Sequence, residues 1–415
     1  MPSKDIFTLD DAVRLGGPRT FNTMVKPAGS ACNLDCTYCY YLDKARQYGG
    51  REAVMGDGLL ETYIRQYFEA SGGDEVSFCW HGGEPLLLGI DFYRRALELQ
   101  RQYAAGRSVS NSIQTNGTLV NPEWCRFFVQ NDFLVGISLD GPRAVHDSFR
   151  RDRRGRPSFD SVINAVRLFK QYGVQYNTLS VVNSRCEGRG LEIYRFFRDT
   201  VKSRYMQFLP AVEHVIDTPD YHRPLIVSPS REGARLAPWS VSSRGYGQFL
   251  CDIFDEWVRR DVGTVFVQMF DATLAGWCGL QPGVCTMGET CGDNLAVEHN
   301  GDVYPCDHFV YPEELLGNIA ETPLQELFDS PRRIRFGLDK RNSLPPECLQ
   351  CEYFRLCHGE CPKHRFDCGS DGSPKNYLCE GLRGYFAHTA PYMEYMRSLL
   401  EKRMSPAWVM QWHPR

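Results

Sequence analysis

Residues 32–41 read Cys-Asn-Leu-Asp-Cys-Thr-Tyr-Cys-Tyr-Tyr, so three residues and then two separate the cysteines at Cys32, Cys36 and Cys39. This spacing brings three thiolates within reach of one small inorganic centre, and thiolates are the protein ligands of iron–sulfur clusters. A cluster with four irons has four corners, so three cysteines would leave one iron open to bind another molecule. A zinc site is the alternative, but structural zinc takes four ligands, and no fourth cysteine or histidine lies nearby in the sequence. The run therefore favours an iron–sulfur cluster.

The composition is that of a globular protein in a reducing compartment. The chain has 415 residues, which suggests two or three domains, and a net charge of −4, which does not favour nucleic acid as a partner. Five arginines from Arg150 to Arg156 are most simply a solvated loop. The charged N-terminus predicts no export signal, and no apolar run is long enough to cross a membrane. The 17 cysteines then predict a cytoplasmic protein whose clustered thiols bind metal.

Strands and helices alternate from residue 21 to about residue 210. Apolar residues recur at helical spacing in residues 58–70, and residues 75–80 are a short apolar run typical of a buried strand. Six such steps predict a parallel sheet with right-handed crossovers and ligand-binding residues at the carboxyl ends of its strands. The predicted strands are 21–27, 75–80, 109–114, 134–139, 175–182 and 205–209. The predicted helices are 58–70, 92–103, 121–130, 159–172 and 191–200.

Polar turns follow the predicted strands. The turn His81-Gly82-Gly83-Glu84-Pro85 comes directly after the strand at 75–80, and its glycines would let a ligand approach the backbone closely. A simple turn is the alternative interpretation. Beyond residue 210 the pattern changes. Residues 211–244 contain several prolines and predict an irregular insert or linker, followed by an amphipathic helix at 246–260 and a short strand at 265–270.

A second group of cysteines lies in the C-terminal third of the chain. Eight cysteines are enough for two four-iron clusters with full cysteine ligation, although Cys348-x2-Cys351 alone could also be a zinc knuckle or a redox dithiol. Cys278 and Cys368 are spares that could replace a ligand. The eight are Cys285, Cys291, Cys306, Cys348, Cys351, Cys357, Cys361 and Cys379. Four others are expected to be buried apolar residues, namely Cys79, Cys125, Cys186 and Cys251.

These motifs resemble those of known enzymes. The Cys-x3-Cys-x2-Cys spacing followed by aromatics, and the run Gly-Gly-Glu-Pro, resemble the signatures of radical S-adenosylmethionine enzymes. The C-terminal array resembles the SPASM domain, which holds auxiliary clusters in radical enzymes that modify peptides and proteins. Nearly end to end, the chain is most similar to the anaerobic sulfatase-maturating enzymes. The further stretches that carry this similarity are 24–27, 114–118, 138–142, 281–285 and 306–308.

The resemblance implies a fold and its division into domains. It predicts an α/β fold in which a partial (β/α)6 radical-SAM barrel precedes a SPASM domain with two auxiliary iron–sulfur clusters. The implied domains are 1–240 for the core, including the insert 211–244, then 241–284 for a connecting helix and linker, 285–380 for the SPASM domain and 381–415 for a C-terminal helical segment.

The resemblance also implies the residues that hold three [4Fe-4S] clusters and S-adenosylmethionine. The cluster with the open iron would be held by Cys32, Cys36 and Cys39. The first auxiliary cluster would be held by Cys285, Cys291, Cys306 and Cys361, and the second by Cys348, Cys351, Cys357 and Cys379. The cofactor would contact Tyr38, Gly82, Gly83, Glu84, Ser138, Arg150 and Leu209. Without the resemblance, Ser138 is most simply a satisfied hydroxyl group and Leu209 a core residue.

Members of this family oxidise one cysteine or serine of a sulfatase, in a Cys/Ser-x-Pro-x-Arg motif, to Cα-formylglycine. By resemblance, a 5′-deoxyadenosyl radical would remove hydrogen from the substrate Cβ, Asp307 would accept the thiol or hydroxyl proton, and the auxiliary clusters would accept the second electron. Burial is expected to raise the pKa of Asp307 toward neutral pH; a simple turn aspartate is the alternative. A donor such as ferredoxin or flavodoxin would supply electrons.

Two other functions stay open at this point. A peptide maturase that forms thioether or carbon–carbon crosslinks would carry the same two modules. It often has a leader-peptide-binding domain before the barrel, for which about twenty residues are too few. The second is a zinc-rich scaffold without catalysis. Iron and sulfide analysis distinguishes zinc from iron–sulfur clusters.

Overall fold

The computed structural model describes residues 21–49, 54–218, 223–229 and 231–413. The N-terminal residues that predict no export signal lie outside these ranges, as do a few residues of the predicted insert at 211–244. Within the described part of the chain, no helix is both long and apolar enough to span a bilayer.

Six parallel strands, adjacent in chain order, form the centre of a ten-stranded sheet. Helices connect successive strands and the sheet stays open, as in a partial barrel. The strands and helices predicted in this part are confirmed, with ends that differ by no more than three residues. The strands are β1 (Asn22–Lys26), β2 (Glu75–Trp80), β3 (Ser108–Thr115), β4 (Phe133–Ser138), β5 (Tyr176–Val182) and β6 (Tyr205–Pro210). The helices are α1 (Asp57–Ala70), α2 (Gly89–Tyr103), α3 (Pro122–Gln130), α4 (Arg143–Phe149), α5 (Phe159–Tyr172) and α6 (Gly190–Arg195), which continues as a π-helical turn over Phe196–Val201.

The start of α3 shows how local sequence forms these elements. The side chain of Asn121 accepts hydrogen bonds from the backbone N–H groups of Glu123 and Trp124 at 2.9 and 3.0 Å. Pro122 occupies the first helical position. These N–H groups have no partner inside the helix, so the cap stabilises its first turn.

Helices cover the outer face of the sheet, and the inner face carries polar residues. Phe78 and Trp80 are fully buried on the outer side, where the Tyr63 ring of α1 meets Trp80 edge-on. Because side chains alternate along a strand, Lys26 and Cys79 point to the inner face. Cys79 is therefore half-buried, and the prediction of a buried apolar residue is wrong there. The same prediction is confirmed for Cys125, Cys186 and Cys251.

The insert after β6 is not irregular, as its prolines had suggested, but carries a small antiparallel sheet. Its strands are β7 (His214–Ile216), β8 (Leu225–Val227) and β9 (Arg235–Leu236). Val215 and Ile226 pack with Leu34, Cys36 and Tyr38, so this sheet covers the cysteine loop. Strands of two or three residues are too short to show a period-two pattern in the sequence.

Later segments extend the central sheet at both edges. At one edge, β10 (Phe266–Val267) pairs in parallel with β6. At the other, β11 (Asn294–Glu298) pairs in parallel with β1, and β12 (Asp302–Tyr304) and β13 (Gly317–Asn318) continue it antiparallel. Residues close to the C-terminal cysteines are thereby placed beside the first strand of the barrel.

The C-terminal part consists of short elements and two long helices. The helices are α7 (Ser243–Arg260), α8 (Gln268–Trp277), α9 (Leu324–Phe328), α10 (Pro331–Asn342), α11 (Pro346–Leu349), α12 (Phe354–Cys357) and α13 (Cys379–Glu401). The strands β14 (Arg365–Cys368) and β15 (Pro374–Asn376) pair antiparallel. A side chain on Gly381 of α13 would overlap the carbonyl group of Ser243 in α7, so these helices touch through their backbones and fasten the C-terminal part to the barrel.

The strand predicted at 265–270 is wrong beyond Val267, where α8 begins. Phe270 lies on this helix and packs against Trp257 and Tyr385, with ring centroids 5.1 and 6.1 Å away. A short apolar run does not distinguish a strand from a buried helix, and here packing on α7 and α13 favours the helix.

Candidate active site

The cysteine loop follows β1 and is held by the segment after α4. The backbone N–H of Asp35 donates to the carbonyl of Arg151 at 2.7 Å, and that of Thr37 donates to Phe149 at 3.2 Å. The arginine side chains of this segment are exposed, as predicted, except that of Arg150, which is buried. The backbone of the arginine-rich segment therefore supports the cysteine loop.

The donor atoms of the loop suit a positively charged metal centre. Burial raises the pKa of Cys32 to about 12 and also raises the pKa of Cys36 and Cys39 above the ordinary value. The charges of Cys39 and Cys32 raise the pKa of Cys36 further. Thiolates at these positions need a compensating cation, and soft thiolate ligands suit iron. The three residues thus fit the cluster expected from the sequence.

The turn after β2 packs backbone to backbone on the cysteine loop. The N–H of Gly83 donates to Gly29 at 2.8 Å, and that of Glu84 donates to Ala31 at 2.8 Å. A side chain at Gly83 would overlap the carbonyl of Ala31, and Gly82 has a φ of +124°, which favours glycine. The close approach that the two glycines predicted is made by the loop that carries the cysteines.

The carboxylate of Glu84 is fully buried and links the turns after β2 and β3. One oxygen accepts hydrogen bonds from the Thr115 hydroxyl at 2.7 Å and the Leu86 N–H at 3.0 Å, and the other accepts from the Asn116 N–H at 2.8 Å. Despite these bonds, burial raises the pKa of Glu84 to about 7. A cation beside this carboxylate would favour its ionised form.

Tyr38 and Arg150 meet at Asp140, a buried residue in the turn after β4. The hydroxyl of Tyr38 donates to Oδ2 of Asp140 at 2.5 Å, and Nε of Arg150 lies 3.1 Å from Oδ1. The guanidinium of Arg150 also lies over the Tyr38 ring, 5.5 Å from its centroid. These contacts bring the cysteine loop and the first arginine of the run to the same edge of the sheet.

Ser138 and Leu209 lie at the carboxyl ends of β4 and β6. The hydroxyl oxygen of Ser138 accepts a hydrogen bond from Nε2 of Gln114 at 3.0 Å. Leu209 is 38% exposed, so the alternative that it is a core residue is wrong. The residues predicted to contact the cofactor thus lie on the cysteine loop or at the carboxyl ends of the barrel strands, except Arg150, which follows α4 and reaches the turn after β4 through Asp140.

Asp307 directly follows Cys306, and its carboxylate faces the cysteine loop. Its Oδ1 pairs with the ammonium group of Lys26, which is completely buried at the end of β1. Its Oδ2 accepts a hydrogen bond from the hydroxyl of Tyr40. The residue after Cys39 therefore contacts the residue after Cys306, and the two cysteine groups approach each other at this carboxylate.

The pKa of Asp307 is low, which contradicts the expectation from the sequence. Burial by itself raises this pKa, but the charge of Lys26, joined at low pH by the protonated rings of His81 and His308, outweighs burial and lowers it below the ordinary value. Asp307 is thus ionised at neutral pH. Burial in turn lowers the pKa of His81 to about 4, so this ring is a neutral neighbour of the carboxylate.

Sequence reasoning missed Lys26. Its Nζ lies 3.7 Å from the centroid of the Tyr41 ring, and the Tyr41 hydroxyl donates to the buried carboxylate of Glu298 on β11 at 2.6 Å. The signal available in the sequence was a lysine that directly follows the apolar pair Met24 and Val25 at the end of a strand. A buried ammonium group is costly unless it is paired with a negatively charged group, so such a lysine predicts a carboxylate partner in the interior.

The eight C-terminal cysteines form two groups of neighbours. In the first, burial raises the pKa of Cys306 to about 12, and the charges of Cys285 and Cys291 raise it further. Burial also raises the pKa of Cys361, and Cys306 and Cys285 act on it in the same direction. These four residues come from three separate segments of the chain.

The second group contains the remaining four cysteines. Burial raises the pKa of Cys348 to about 11 and that of Cys357 to about 12, and the charge of Cys379 raises both. The charge of Cys351 raises the pKa of both Cys348 and Cys379. The two groups contain the same residues as the two ligand sets implied by the resemblance, and their role as cluster ligands stays a prediction. The spare Cys278 lies beside Arg397 and Glu401, and the spare Cys368 is exposed on β14.

Among the described residues, no three His, Cys, Asp or Glu side chains meet at the distance needed to hold a single ion. Ligands of a four-iron cluster bind at separate corners and lie further apart than ligands of one ion. All 17 cysteines are free thiols in this structure.

Two family models match the chain. The Radical SAM superfamily model matches residues 27–184, and the SPASM iron-sulfur cluster-binding domain model matches residues 285–352. A serine-type anaerobic sulfatase-maturating enzyme of Bacteroides thetaiotaomicron is 48% identical over 390 residues, which cover 94% of this chain and 94% of the relative. The chain belongs to the anaerobic sulfatase-maturating enzymes. The resemblance seen in the sequence is thereby confirmed.

Other anaerobic sulfatase-maturating enzymes are similar over nearly the same span. A cysteine-type enzyme of Clostridium perfringens is 33% identical over 89% of this chain and 96% of its own length. The solved structure of native anSMEcpe with bound AdoMet has a TM-score of 0.80 and 31% identity, and it covers 91% of this chain and 100% of that chain. A further structure of that protein, with AdoMet and the Cp18Cys peptide, has a TM-score of 0.79 and 31% identity over 91% of this chain and 99% of that chain.

These sulfatase-maturating structures confirm the predicted α/β fold with a partial barrel and a SPASM domain. The structure of SuiB from Streptococcus suis has 16% identity and a TM-score of 0.58 over 87% of this chain and 77% of that chain, which shows a shared fold alone. Radical SAM and SPASM modules belong to enzymes that use S-adenosylmethionine and iron–sulfur clusters.

Proposed function

We propose that this protein oxidises a cysteine or serine side chain of a sulfatase, in a Cys/Ser-x-Pro-x-Arg segment, to Cα-formylglycine. The observation that supports this most is the hydrogen bond from Tyr40 to Asp307. It joins the loop of Cys39 to the segment of Cys306 through an ionised carboxylate. A substrate Cβ held at this point would have the radical source on one side and a proton acceptor and an electron acceptor on the other.

We assign the ligands as the sequence implied. Three [4Fe-4S] clusters would be held by Cys32, Cys36 and Cys39, by Cys285, Cys291, Cys306 and Cys361, and by Cys348, Cys351, Cys357 and Cys379. When bound at the open iron, S-adenosylmethionine would supply a 5′-deoxyadenosyl radical that removes one hydrogen atom from the substrate Cβ. The residues assigned to bind it are Tyr38, Gly82, Gly83, Glu84, Ser138, Arg150 and Leu209. The division into 1–240, 241–284, 285–380 and 381–415 is part of this proposal.

Asp307 would accept the hydroxyl or thiol proton of the substrate. A carbon radical next to oxygen or sulfur releases that proton far more readily than the parent alcohol or thiol, so a carboxylate of low pKa suffices when it is in direct contact. The first auxiliary ligand set would receive the remaining electron through the segment of Cys306. Loss of one hydrogen atom, one proton and one electron leaves the aldehyde from serine or a thioaldehyde from cysteine. Water would then convert the thioaldehyde to the aldehyde with release of hydrogen sulfide.

The partners follow from this chemistry. The substrate would be a sulfatase polypeptide that enters in an extended form, and the first cluster would need a one-electron donor such as ferredoxin or flavodoxin. Oxygen-sensitive clusters and free thiols suit the cytoplasm.

The test uses the full chain, loaded with iron and sulfide without oxygen, reduced, and mixed with S-adenosylmethionine and a peptide containing the motif. We expect deoxyadenosine and a peptide aldehyde, with serine and cysteine peptides compared side by side. In Asp307→Asn, cofactor cleavage should persist while aldehyde formation falls by at least tenfold. Asp302→Asn is the matched control, because Asp302 lies on β12 and, among the residues that the structure describes, its side chain accepts hydrogen bonds from Asn300 and Asn318 and not from the site.

Three outcomes would contradict the proposal. Zinc without sulfide in the purified protein would exclude radical chemistry. A crosslinked peptide in place of an aldehyde would indicate the peptide maturase. Aldehyde formation at the normal rate in Asp307→Asn would exclude Asp307 as the proton acceptor.

A further inference from the structure

A short segment connects the two auxiliary ligand sets. Residues 358–360 join Cys357 of the second set to Cys361 of the first. Three successive residues here have positive φ, namely His358 at 46°, Gly359 at 72° and Glu360 at 51°. This conformation is unfavourable for the two residues that are not glycine, so other groups have to hold the segment in place.

The guanidinium group of Arg365 holds this segment. Its Nε donates to the carbonyl of Gly359 at 3.0 Å, and its Nη2 donates to those of His358 and Glu360 at 3.1 Å each. Its Nη1 donates to the carbonyl of Lys340 on α10 at 2.5 Å. Arg365 is buried, and three of the four carbonyls that it binds belong to the segment between Cys357 and Cys361.

Lys340 is a second buried cation in the same region. It is 1% exposed, and its Nζ donates to the carbonyls of Cys285 at 2.5 Å and Thr286 at 3.0 Å. The helix that carries it packs against Cys291, since a side chain at Gly337 would overlap the Cys291 carbonyl. The ammonium group thus lies against the first ligand set.

Neither cation has a carboxylate as an ion-pair partner in the part of the chain that the structure describes. The nearby carboxylate of Glu360 is bound by the side chains of His364 at 2.9 Å and Asn376 at 2.7 Å. The negative groups that act electrostatically on Lys340 are Cys291, Cys361 and Cys285 together with Glu360, and those that act on Arg365 are Cys361, Cys348 and Cys357 together with Glu360. Buried cations need compensating negative charge, and thiolates bound to iron would provide it.

We propose that Lys340 and Arg365 raise the reduction potentials of the clusters held by these cysteines, Lys340 for the first set alone and Arg365 for both. This rests on the proposed function. A fixed positive charge stabilises the more negative, reduced form of a nearby cluster. The first set includes Cys306, the residue directly before Asp307, and it lies beside both cations. The cluster held by this set is therefore the better acceptor of the substrate's electron. Both are positioning residues, because they act through the ligand sets and do not touch the substrate.

The experiment is a redox titration of the full holoprotein, followed by electron paramagnetic resonance of each cluster, with iron and sulfide analysis alongside. Lys340→Met should lower the potential of the first auxiliary cluster and leave the second unchanged. Arg365→Gln should lower both. The expected shift is about tenfold or more in the reduction equilibrium, or about 59 mV for one electron.

Arg107→Gln is the matched control, because Arg107 likewise donates to backbone carbonyls but lies at the amino-terminal end of β3, away from the cysteines. It should change neither potential. If Arg365→Gln does not retain auxiliary iron, Arg365→Lys replaces it. This variant keeps the charge and should hold both reduction potentials near those of the wild type. Lys340→Met still tests the potential of the first auxiliary cluster.

Unchanged potentials in an iron-replete Lys340→Met protein would overturn this inference and leave the proposed function intact. The same holds if Lys340→Met shifts the second cluster as much as the first. A wild-type chain that binds only one cluster would contradict the proposed function and this inference together.

Discussion

The ion pair between Lys26 and Asp307 gives the sharpest test of the site. Lys26→Met keeps the length of the side chain but removes the charge from a completely buried position. Two unit charges at about 4 Å attract by about 4 kcal/mol at an effective dielectric constant of about 20. Loss of that attraction would raise the pKa of Asp307 by roughly 3, because 1.36 kcal/mol corresponds to one pKa unit.

The sign of the pH effect follows from the direction of the shift. Asp307 has a lowered pKa in the folded protein, so its ionisation stabilises the wild type above its ordinary pKa, and this contribution is lost only as the pH falls. In Lys26→Met, burial dominates instead and the carboxylate becomes protonated at a higher pH. Aldehyde formation should then decline on the acid side at a pH where the wild type is still fully active.

The assay combines product formation against pH with chemical denaturation. Breaking a buried ion pair destabilises a protein by about 3–5 kcal/mol, and the double variant Lys26→Met with Asp307→Asn should recover part of this loss, because it leaves no unpaired charge. Lys44→Met is the control, because it removes a buried lysine amine that lies over the Tyr311 ring, 3.5 Å from its centroid, and that is not paired with Asp307. Burial lowers the pKa of this amine to about 7. A Lys26→Met protein with wild-type stability and an unchanged pH profile would refute the reasoning.

Three further results are expected. Gly83→Ala should destabilise the protein by about 1–3 kcal/mol and weaken cofactor binding, because the new methyl group overlaps the carbonyl of Ala31, whereas Gly58→Ala in open space on α1 should be neutral or slightly stabilising; denaturation and cofactor titration measure both. Burial raises the pKa of Glu84 to about 7 in the cofactor-free protein, so its contribution to stability is present below pH 4.5 and is lost as the pH rises through about 7. Glu84→Gln should flatten this pH dependence of the free energy of unfolding, which denaturation at several pH values measures. Asn121→Ala should lower the free energy of unfolding by about 1 kcal/mol and leave cofactor cleavage unchanged, because it removes only a helix cap; a change in cleavage would contradict that assignment.

Local features of the chain were readable from the sequence because they depend on neighbours in the chain. The strand–helix alternation, the cap at Asn121 and the cysteine spacing from Cys32 to Cys39 reflect periods and contacts within a few residues. The strand at 265–270 was mispredicted for the same reason, since a short apolar run has no distinguishing period. The family resemblance supplied the two interleaved cysteine sets, which no local rule produces.

Contacts between segments far apart in the chain become visible only in the folded protein. The pairing of β11 with β1 brings the segment of Cys306 to the barrel, and this places Asp307 against Lys26. The sequence predicted a raised pKa for Asp307 from burial alone, but the sign of the shift depends on a buried ammonium group that lies 281 positions away in the chain. Lys340 likewise has no local signal, because the carbonyls of Cys285 and Thr286 that its ammonium group binds lie 55 and 54 positions away in the chain. Charge in a protein interior is decided by which distant groups packing brings into contact, and sequence periodicity does not record that.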